Sequence, residues 1–379
     1  MALRVTKGTT PRVAFVDRGP YFVKAESITD GGRIDFAKLA HIDDSTHAGL
    51  ARSVLEPNDI LFTIAGTIGR TALVTPDLIP ANANQAVAII RPDPDKVLPR
   101  FLYYALRDRI RVRHAITRVV QSVQANLSLQ ELSQIAIPLA PLSAQQAVAD
   151  TLGVLDDKID LNRKTSATLE ELMHATYASR WRTNDRSIAL ADIVEFHRDP
   201  VNPRQVGPDT VYVGLEHMTP RSVNLEKHGR AMDVGSGKAA FQPGDVLFGR
   251  LRPYFHKVAV AHVVGIASQE ILVLRPRSPD LLGLAICEAS HPALIDHATA
   301  VSTGTRMPRA SWVDIARFRF GYRGSPAEIT EFVSPLLNLM QSYIRQNETL
   351  AQLGDLLLPK LMSGEIRVKE AEKAVAEAL

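Results

Sequence analysis

Two segments of this chain repeat one pattern, and a repeat leaves few architectures open because each copy has to fold in the same way. Glu56-Pro57-Asn58-Asp59-Ile60-Leu61-Phe62 matches Gln242-Pro243-Gly244-Asp245-Val246-Leu247-Phe248. Each is followed by a second apolar run that ends in Arg-Pro: Ala86-Val87-Ala88-Ile89-Ile90-Arg91-Pro92 in the first copy and Glu270-Ile271-Leu272-Val273-Leu274-Arg275-Pro276 in the second. Short runs rich in β-branched residues and bounded by Pro, Gly and Asp read as strands, and Pro ends them because it has no N–H to give to a ladder. A helix is expected after each, from about Leu98 to Arg113 and from about Pro279 to Ala289, so each copy reads as an α+β block.

The second shared feature is helical. Ser143-Ala144-Gln145-Gln146 and Ser325-Pro326-Ala327-Glu328 both place Gln or Glu three residues after a Ser, the pattern of a capping box, and the second adds Pro at the first helical position. Beyond the first cap, Val148, Leu152, Leu155, Ile159, Asn162, Ser166, Leu169, Met173 and Thr176 recur at alternating spacings of four and three; beyond the second, Ile329, Val333, Leu336, Met340, Tyr343, Asn347, Leu350, Gly354 and Leu357 do the same. That spacing, held over more than three heptads, is the spacing of a coiled-coil seam. Two amphipathic helices, each packed on its own block, would also produce it. Pairing of the two helices is favoured by their length and by polar Asn162, Ser166 and Asn347 within the seam, where such residues cost stability but fix register.

With 379 residues the chain has room for two or three domains. Its 45% hydrophobic and 22% charged residues exclude the disordered, collagenous and disulfide-rich classes. The single cysteine, Cys287, cannot form an internal disulfide and sits in an apolar run, which suits a buried structural thiol. No apolar stretch follows Met1 in the manner of a signal peptide, and no window approaches the roughly 18 apolar residues of a membrane span. A reducing cytoplasm is the expected compartment. The near balance of 44 Lys+Arg against 41 Asp+Glu hides an alternation: residues 1–140 and 181–324 carry an excess of basic residues, whereas 141–180 and 325–379 carry an excess of acidic ones. Basic blocks of this kind are compatible with nucleic acid.

The order of block, long helix, block, long helix resembles the specificity subunit of Type I restriction-modification systems. The residues that carry the resemblance are Ile137-Pro138-Leu139-Ala140-Pro141-Leu142-Ser143-Ala144-Gln145-Gln146, Leu155-Asp156-Asp157-Lys158-Ile159-Asp160-Leu161-Asn162-Arg163-Lys164, Thr168-Leu169-Glu170-Glu171-Leu172, and the closing run Leu357-Leu358-Pro359-Lys360-Leu361-Met362-Ser363-Gly364-Glu365-Ile366-Arg367-Val368. Two features depart from the family pattern. The first block begins at Lys7-Gly8-Thr9-Thr10-Pro11 without the leading strand expected of Ile188-Ala189-Leu190-Ala191-Asp192-Ile193 in the second, and Gly321-Tyr322-Arg323-Gly324 replaces the Pro-rich entry to the second helix.

The resemblance implies two target-recognition domains, at 1–140 and 183–324, each reading one half of a split double-stranded DNA target. It implies spacer helices at 141–182 and 325–368, pairing as an antiparallel coiled coil, with a charged tail at 369–379. The helices would set the spacing and dock two copies of a Type I DNA methyltransferase subunit, with restriction subunits joining the larger assembly. The chain itself would be non-catalytic and without cofactor, and S-adenosylmethionine would belong to the methyltransferase. A helix of about 35 residues is roughly 50 Å long, the scale of one to two turns of duplex.

A domain that reads DNA needs Arg or Lys for phosphates and Arg, Asn, Gln, Ser or Thr for base edges. In the first block the candidates are Arg113, Arg118, Gln121, Ser122, Gln124 and Asn126. Their repeat equivalent is Ser302-Thr303-Gly304-Thr305-Arg306, where Gly304 permits close backbone approach and Thr303, Thr305 and Arg306 offer donors. A connecting polar loop would look the same. The segment from Gly249 to Lys257, with Arg250, Arg252, Tyr254 and Lys257, is the next candidate; read structurally, it is a strand and turn with solvated arginines and buried aromatics.

Catalytic signatures fail one by one. Neither Asn-Pro-Pro-Tyr nor Asp-Pro-Pro-Tyr occurs, so adenine methylation would fall to another chain. Gly235-Ser236-Gly237-Lys238-Ala239 resembles the end of a phosphate loop, but Met232 and Ala239 stand where Gly and Ser or Thr are required. No His-Glu-x-x-His helix or paired Cys site occurs, His291 and His297 read as surface or helix-end residues and not as zinc ligands, and Asp93, Asp95 and Lys96 lie in a Pro-Asp-Pro-Asp context that favours a turn over a nuclease centre. The alternative reading is a stand-alone DNA-binding protein or a nuclease acting without a methyltransferase.

Overall fold

The computed structural model describes residues 2–108, 112 and 126–379. The chain is a mixture of helices and sheets that divides into two compact units, one comprising Met1–Lys158 with Thr349–Leu379 and the other Ile159–Glu348. Two long helices, Leu142–Arg180 and Pro326–Ser363, each give one part to either unit.

In the first unit a four-stranded antiparallel sheet has the order Ala2–Lys7, Val87–Pro92, Ile60–Thr63, Thr71–Leu73. In the second unit a four-stranded sheet has the order Val194–His197, Ile271–Pro276, Val246–Gly249, Val258–Val260. The central strands in both are the apolar runs of the sequence repeat, buried on both faces. Phe62 and Phe248 occupy equivalent places and are fully buried, each worth about 2 kcal/mol of transfer free energy. Each unit has a second sheet with one parallel pair, Val16–Val23 with Ala81–Ala83 and Val211–Val213 with Gly265–Ala267.

The repeated Pro-x-Asp and Arg-Pro signatures turn out to be two ends of one interaction. Asn58 and Gly244 turn the chain through the left-handed region, with φ of 74° and 89°. Asp59 and Asp245 follow directly, each 1% exposed, at the entry to strands Ile60–Thr63 and Val246–Gly249. Asp59 accepts from the backbone of Glu56 at 2.8 Å and from Arg91 Nε and Nη2, both at 2.8 Å. Asp245 accepts from Gln242 N at 2.9 Å and from Arg275 Nε and Nη2, both at 2.8 Å. A two-point guanidinium–carboxylate pair plus a backbone bond satisfies the buried carboxylate, which alone would be costly to desolvate.

Several expectations about element ends are corrected. The first block does have a leading strand: Ala2–Lys7 pairs with Val87–Pro92. Its counterpart in the second unit is Val194–His197, whereas residues 188–193 end one strand and form the short helix Leu190–Ile193. The first long helix opens at Leu142, on bonds from Ala144 N and Gln145 N to Pro141 O, and Ser143 makes no cap. Gln146 turns instead to Asp150 at 2.7 Å, and buried Gln145 ties the helix start to Leu98 N, Lys96 O and Ala140 O. The second helix keeps its serine, whose Oγ accepts from Ala327 N at 3.2 Å. The helix expected over 98–113 is Pro99–Arg107 among the described residues, and the expected tail lies in a helix, Val368–Ala378, that buries Ala371 and Val375.

Most of the positions at four-three spacing are buried. Val148, Leu152 and Leu155 are buried in the first unit, where a methyl at Gly354 would stand 3.7 Å from Leu155 Cδ1. In the second unit Ile159, Asn162, Ser166 and Met173 are buried on one helix, and Val333 and Met340 on the other. Asn162 Nδ2 donates to Gln346 Oε1 at 2.8 Å and to Asn347 Oδ1 at 2.9 Å, so the polar seam residues find one another. Leu169 and Leu336 are half-buried against the core of this unit, Leu350 and Leu357 are buried in the other, and Leu337 and Ile344 carry burial beside Leu336 and Tyr343.

Polar ties hold the helices to each unit. In the first, Asp156 accepts from Tyr104 Oη at 2.7 Å and Arg107 Nη1 at 3.3 Å, and Arg100 reaches Gly153 O and Asp157. In the second, Glu170 accepts from Val223 N at 2.6 Å and from Ser222 Oγ at 2.8 Å, while Tyr177 and Arg182 converge on buried Glu288 at 2.6 and 2.8 Å.

Candidate nucleic-acid interface

In the second unit two candidate segments that are about fifty residues apart in sequence meet. Beyond strand Val246–Gly249 the chain continues its ladder: Arg250 N donates to Glu270 O at 2.9 Å, and Ala310 N donates to Arg250 O at 3.0 Å. Leu251 then bridges to Arg309, and Arg309 in turn exchanges backbone bonds with Thr303 at 2.9 and 3.0 Å. Residues 304–308 are thereby closed into a loop, with Gly304 at φ 102°. Its base is clamped by Arg309, whose Nε and Nη2 reach Glu270 at 2.8 to 3.1 Å. Thr303, Thr305 and Arg306 are exposed, as the phosphate and base-edge roles require.

Arg252 joins the segments. Its backbone N–H donates to Pro308 O at 2.7 Å and its Nη2 to Arg306 O at 3.3 Å, which commits part of the guanidinium to holding the loop. Arg250 and Arg252 are half-buried, and their Nε atoms are buried without an acceptor. Lys257 spends its ammonium on Leu215 O at 2.6 Å, which pins an adjacent turn. Tyr254 is 52% exposed and its neighbour Phe255 46%, so the aromatics are on the surface and not, as the structural reading of this segment expected, buried.

The first unit has the same bridge at the same place: Ala65 pairs with Asn126, and Leu127 N donates to Ile64 O at 2.8 Å. Asn126 is exposed beside it. Arg113, Arg118, Gln121, Ser122 and Gln124 lie outside the described residues. Gly66, at φ 72°, occupies the position that Arg252 holds in the second unit at φ 50°. Arg70 is engaged with Asp30 and with Ile28 O, a turn-pinning role like that of Lys257.

Neither Arg309–Glu270 nor the exposure of Phe255 was legible in the sequence. The first is a pair 39 residues apart with no periodic signal, and the second depends on two left-handed residues, Arg252 and His256, that eject the turn between them. His256 is fixed by its Nε2, which donates to Ser290 O at 2.8 Å.

Several imidazoles in this unit are held neutral. Burial depresses His174, His217, His256 and His262. Burial and then the adjacent Arg182 cation push His291 down to about 4. A folded-state value below the unfolded 6.5 means that stability is full above 6.5 and is lost as the pH falls toward 4. His291 alone is expected to cost the second unit about 1 to 2 kcal/mol between pH 7 and 5. His291→Asn keeps an acceptor for Ala293 N, the helix cap His291 now provides, and removes the titration. Denaturant midpoints of both proteins at the two pH values check this: the variant should lose less stability on acidification, and equal losses would contradict the assignment. Burial raises Glu170 and Glu288, which act in the opposite direction, and both proteins share them.

The other motifs are structural. Lys238 Nζ folds back on Ser236 O and Oγ at 2.6 and 2.7 Å, closing the Gly-Ser-Gly turn. Asp93 receives Lys96 Nζ at 2.9 Å and Lys96 N at 3.0 Å, also a closed turn. His297 contacts Asp314 O, and Cys287 is fully buried with its thiol pushed up by burial. Among the described residues no group of three or more His, Cys, Asp or Glu side chains is placed to hold a metal ion, and no helix is long and apolar enough to cross a membrane.

Residues 13–171 match the family model of the Type I restriction modification DNA specificity domain. A relative from Methanocaldococcus jannaschii, named a putative type I restriction enzyme MjaX specificity subunit, is 25% identical over 239 residues, which are 59% of this chain and 55% of that protein. The type I restriction enzyme EcoBI specificity subunit of Escherichia coli is 26% identical over 179 residues, 44% of this chain and 37% of that one. The matches thus span about half or less of those relatives' own length. A crystal structure of the Type-I restriction-modification system S subunit from M. genitalium is similar at 15% identity and a TM-score of 0.49, covering 94% of this chain and 93% of that one.

Proposed function

We propose that this chain is the DNA sequence-recognition subunit of a Type I restriction-modification complex, a non-catalytic protein whose two α+β blocks, 1–140 and 183–324, each read one half of a bipartite target. The observation that carries the reading is the strand bridge made at the same place in both units: Ala65 with Asn126 in one, Leu251 with Arg309 in the other. The bridge displays Asn126 in the first unit and closes a loop carrying Thr and Arg on the sheet of the second, which is the placement needed to present base-reading groups. The family match over the first block and first helix supports it.

In this reading the helices pair as an antiparallel coiled coil that spaces the two domains and docks two methyltransferase subunits, which bring S-adenosylmethionine, and restriction subunits join the larger cytoplasmic assembly. Leu161 and Leu172, 58% and 49% exposed, stand eleven residues apart on one face of the first helix and offer two apolar contact points for that docking.

Binding separates the readings. The chain alone should hold duplex DNA weakly and with steep salt dependence, and should gain at least about 1000-fold preference for one split sequence when its methyltransferase is added. Tight specific binding by the chain alone would favour a stand-alone DNA-binding protein. DNA cleavage that Asp93→Ala or Asp95→Ala abolishes would favour a nuclease.

A further inference from the structure

The segment Pro253–Phe255 is a 3-10 turn flanked on both sides by left-handed, non-glycine residues, Arg252 at φ 50° and His256 at φ 51°. Its backbone is closed by bonds from Phe255 N to Arg252 O and from His256 N to Pro253 O. Its two ends are tied down, Arg252 to Pro308 O and His256 to Ser290 O and Arg221 N. At the tip of this rigid mount Tyr254 and Phe255 pack on each other, ring centroids 4.8 Å apart at 60°, with about half of each residue exposed. Met307, 46% exposed, lies on the loop that Arg252 holds. A paired aromatic surface left in water on a pre-organised turn marks a binding element. The charges beside it, Arg252 and exposed Arg306, select a polyanion as the occupant.

We infer that Tyr254 and Phe255 are a wedge that enters duplex DNA at one base step of the half-site read by the second unit and unstacks it, so that this half-site is recognised partly through its deformability. The inference rests on the DNA-recognition reading above. Apolar side chains inserted between bases kink the duplex at the steps that unstack most easily, which gives sequence preference without a hydrogen bond to a base. The equivalent turn of the first unit lacks the device: between Gly66 and Gly69 it has only Thr67 and Ile68, one residue fewer and no ring. At this turn the two half-sites are therefore read differently, the second alone with unstacking.

The test uses the full chain with its methyltransferase on a duplex containing the methylated split sequence, with 2-aminopurine placed in turn at each position other than the methylated adenines. The expected result is a several-fold rise in fluorescence at one step, in one half-site only. Tyr254→Ala/Phe255→Ala should abolish that rise and weaken binding about 10- to 100-fold, while the other half-site is still required and the salt dependence is unchanged. Both side chains are exposed, and an unchanged melting temperature would confirm that the variant folds. Flat fluorescence across both half-sites with a complex that does methylate the split sequence overturns the wedge alone, as does a rise that the variant retains. A complex that binds and methylates no split sequence overturns the recognition reading and the wedge with it.

Discussion

Arg275→Ala is expected to destabilise the second unit by about 3 kcal/mol, and Arg91→Ala the first unit by a similar amount. Each substitution leaves a carboxylate, Asp245 or Asp59, 1% exposed and with one backbone donor in place of three bonds. The low end of the range for broken buried pairs applies because the arginines themselves are about one-fifth exposed. Arg70→Ala supplies the control: its partner Asp30 is 67% exposed, and the loss should stay below about 1 kcal/mol. Both tryptophans, Trp181 and Trp312, belong to the second unit. The tryptophan-fluorescence transition in denaturant should therefore shift for Arg275→Ala, and the far-ultraviolet circular dichroism should report the loss in Arg91→Ala. Shifts no larger than that of Arg70→Ala in either protein would show that the repeated motif is not held by this pair.

Lengthening the first long helix by one heptad, with a matching heptad in the second so that the seam stays whole, is expected to lengthen the gap between half-sites while leaving the bases of each unchanged. Seven residues at 1.5 Å add about 10 Å, equivalent to about three base pairs of duplex. The seam residues on either side keep their partners, since a heptad restores the same helix face. Mapping the methylated sequence of such a variant reads the outcome directly. A gap that does not change would remove the helices from the role of spacer, and altered half-site bases would place base reading partly in the helices.

The parts of the fold that were legible in the sequence are those with local signals. The central strands announce themselves as apolar runs closed by Pro, and the buried face of each long helix by its four-three spacing; both follow from periodicity within a dozen residues. The leading strand Ala2–Lys7 was missed because it is an edge strand, mostly exposed and irregular between Ala2 and Arg4, so it carries no apolar run. Ser143 makes no cap because the helix opens before it, at Leu142, and the Gln146 side chain that would complete the box bonds to Asp150 one turn on. In the candidate interface, Thr305 and Arg306 are legible as residue types suited to DNA, yet the bond of Arg306 O with Arg252 depends on the Leu251–Arg309 bridge. No pattern in one chain reports a contact fifty residues away. The same limit explains why Lys257, chosen for its charge, is a structural clamp on Leu215 O.

The most direct test of the central claim is to co-express the chain with the methyltransferase encoded nearest to it and to map methylated adenines across the host genome, with each protein expressed alone as control. The account predicts a single split motif, two short defined halves separated by an unspecified gap, that appears only when both chains are present. No new motif, from two chains that do not co-purify, would contradict it.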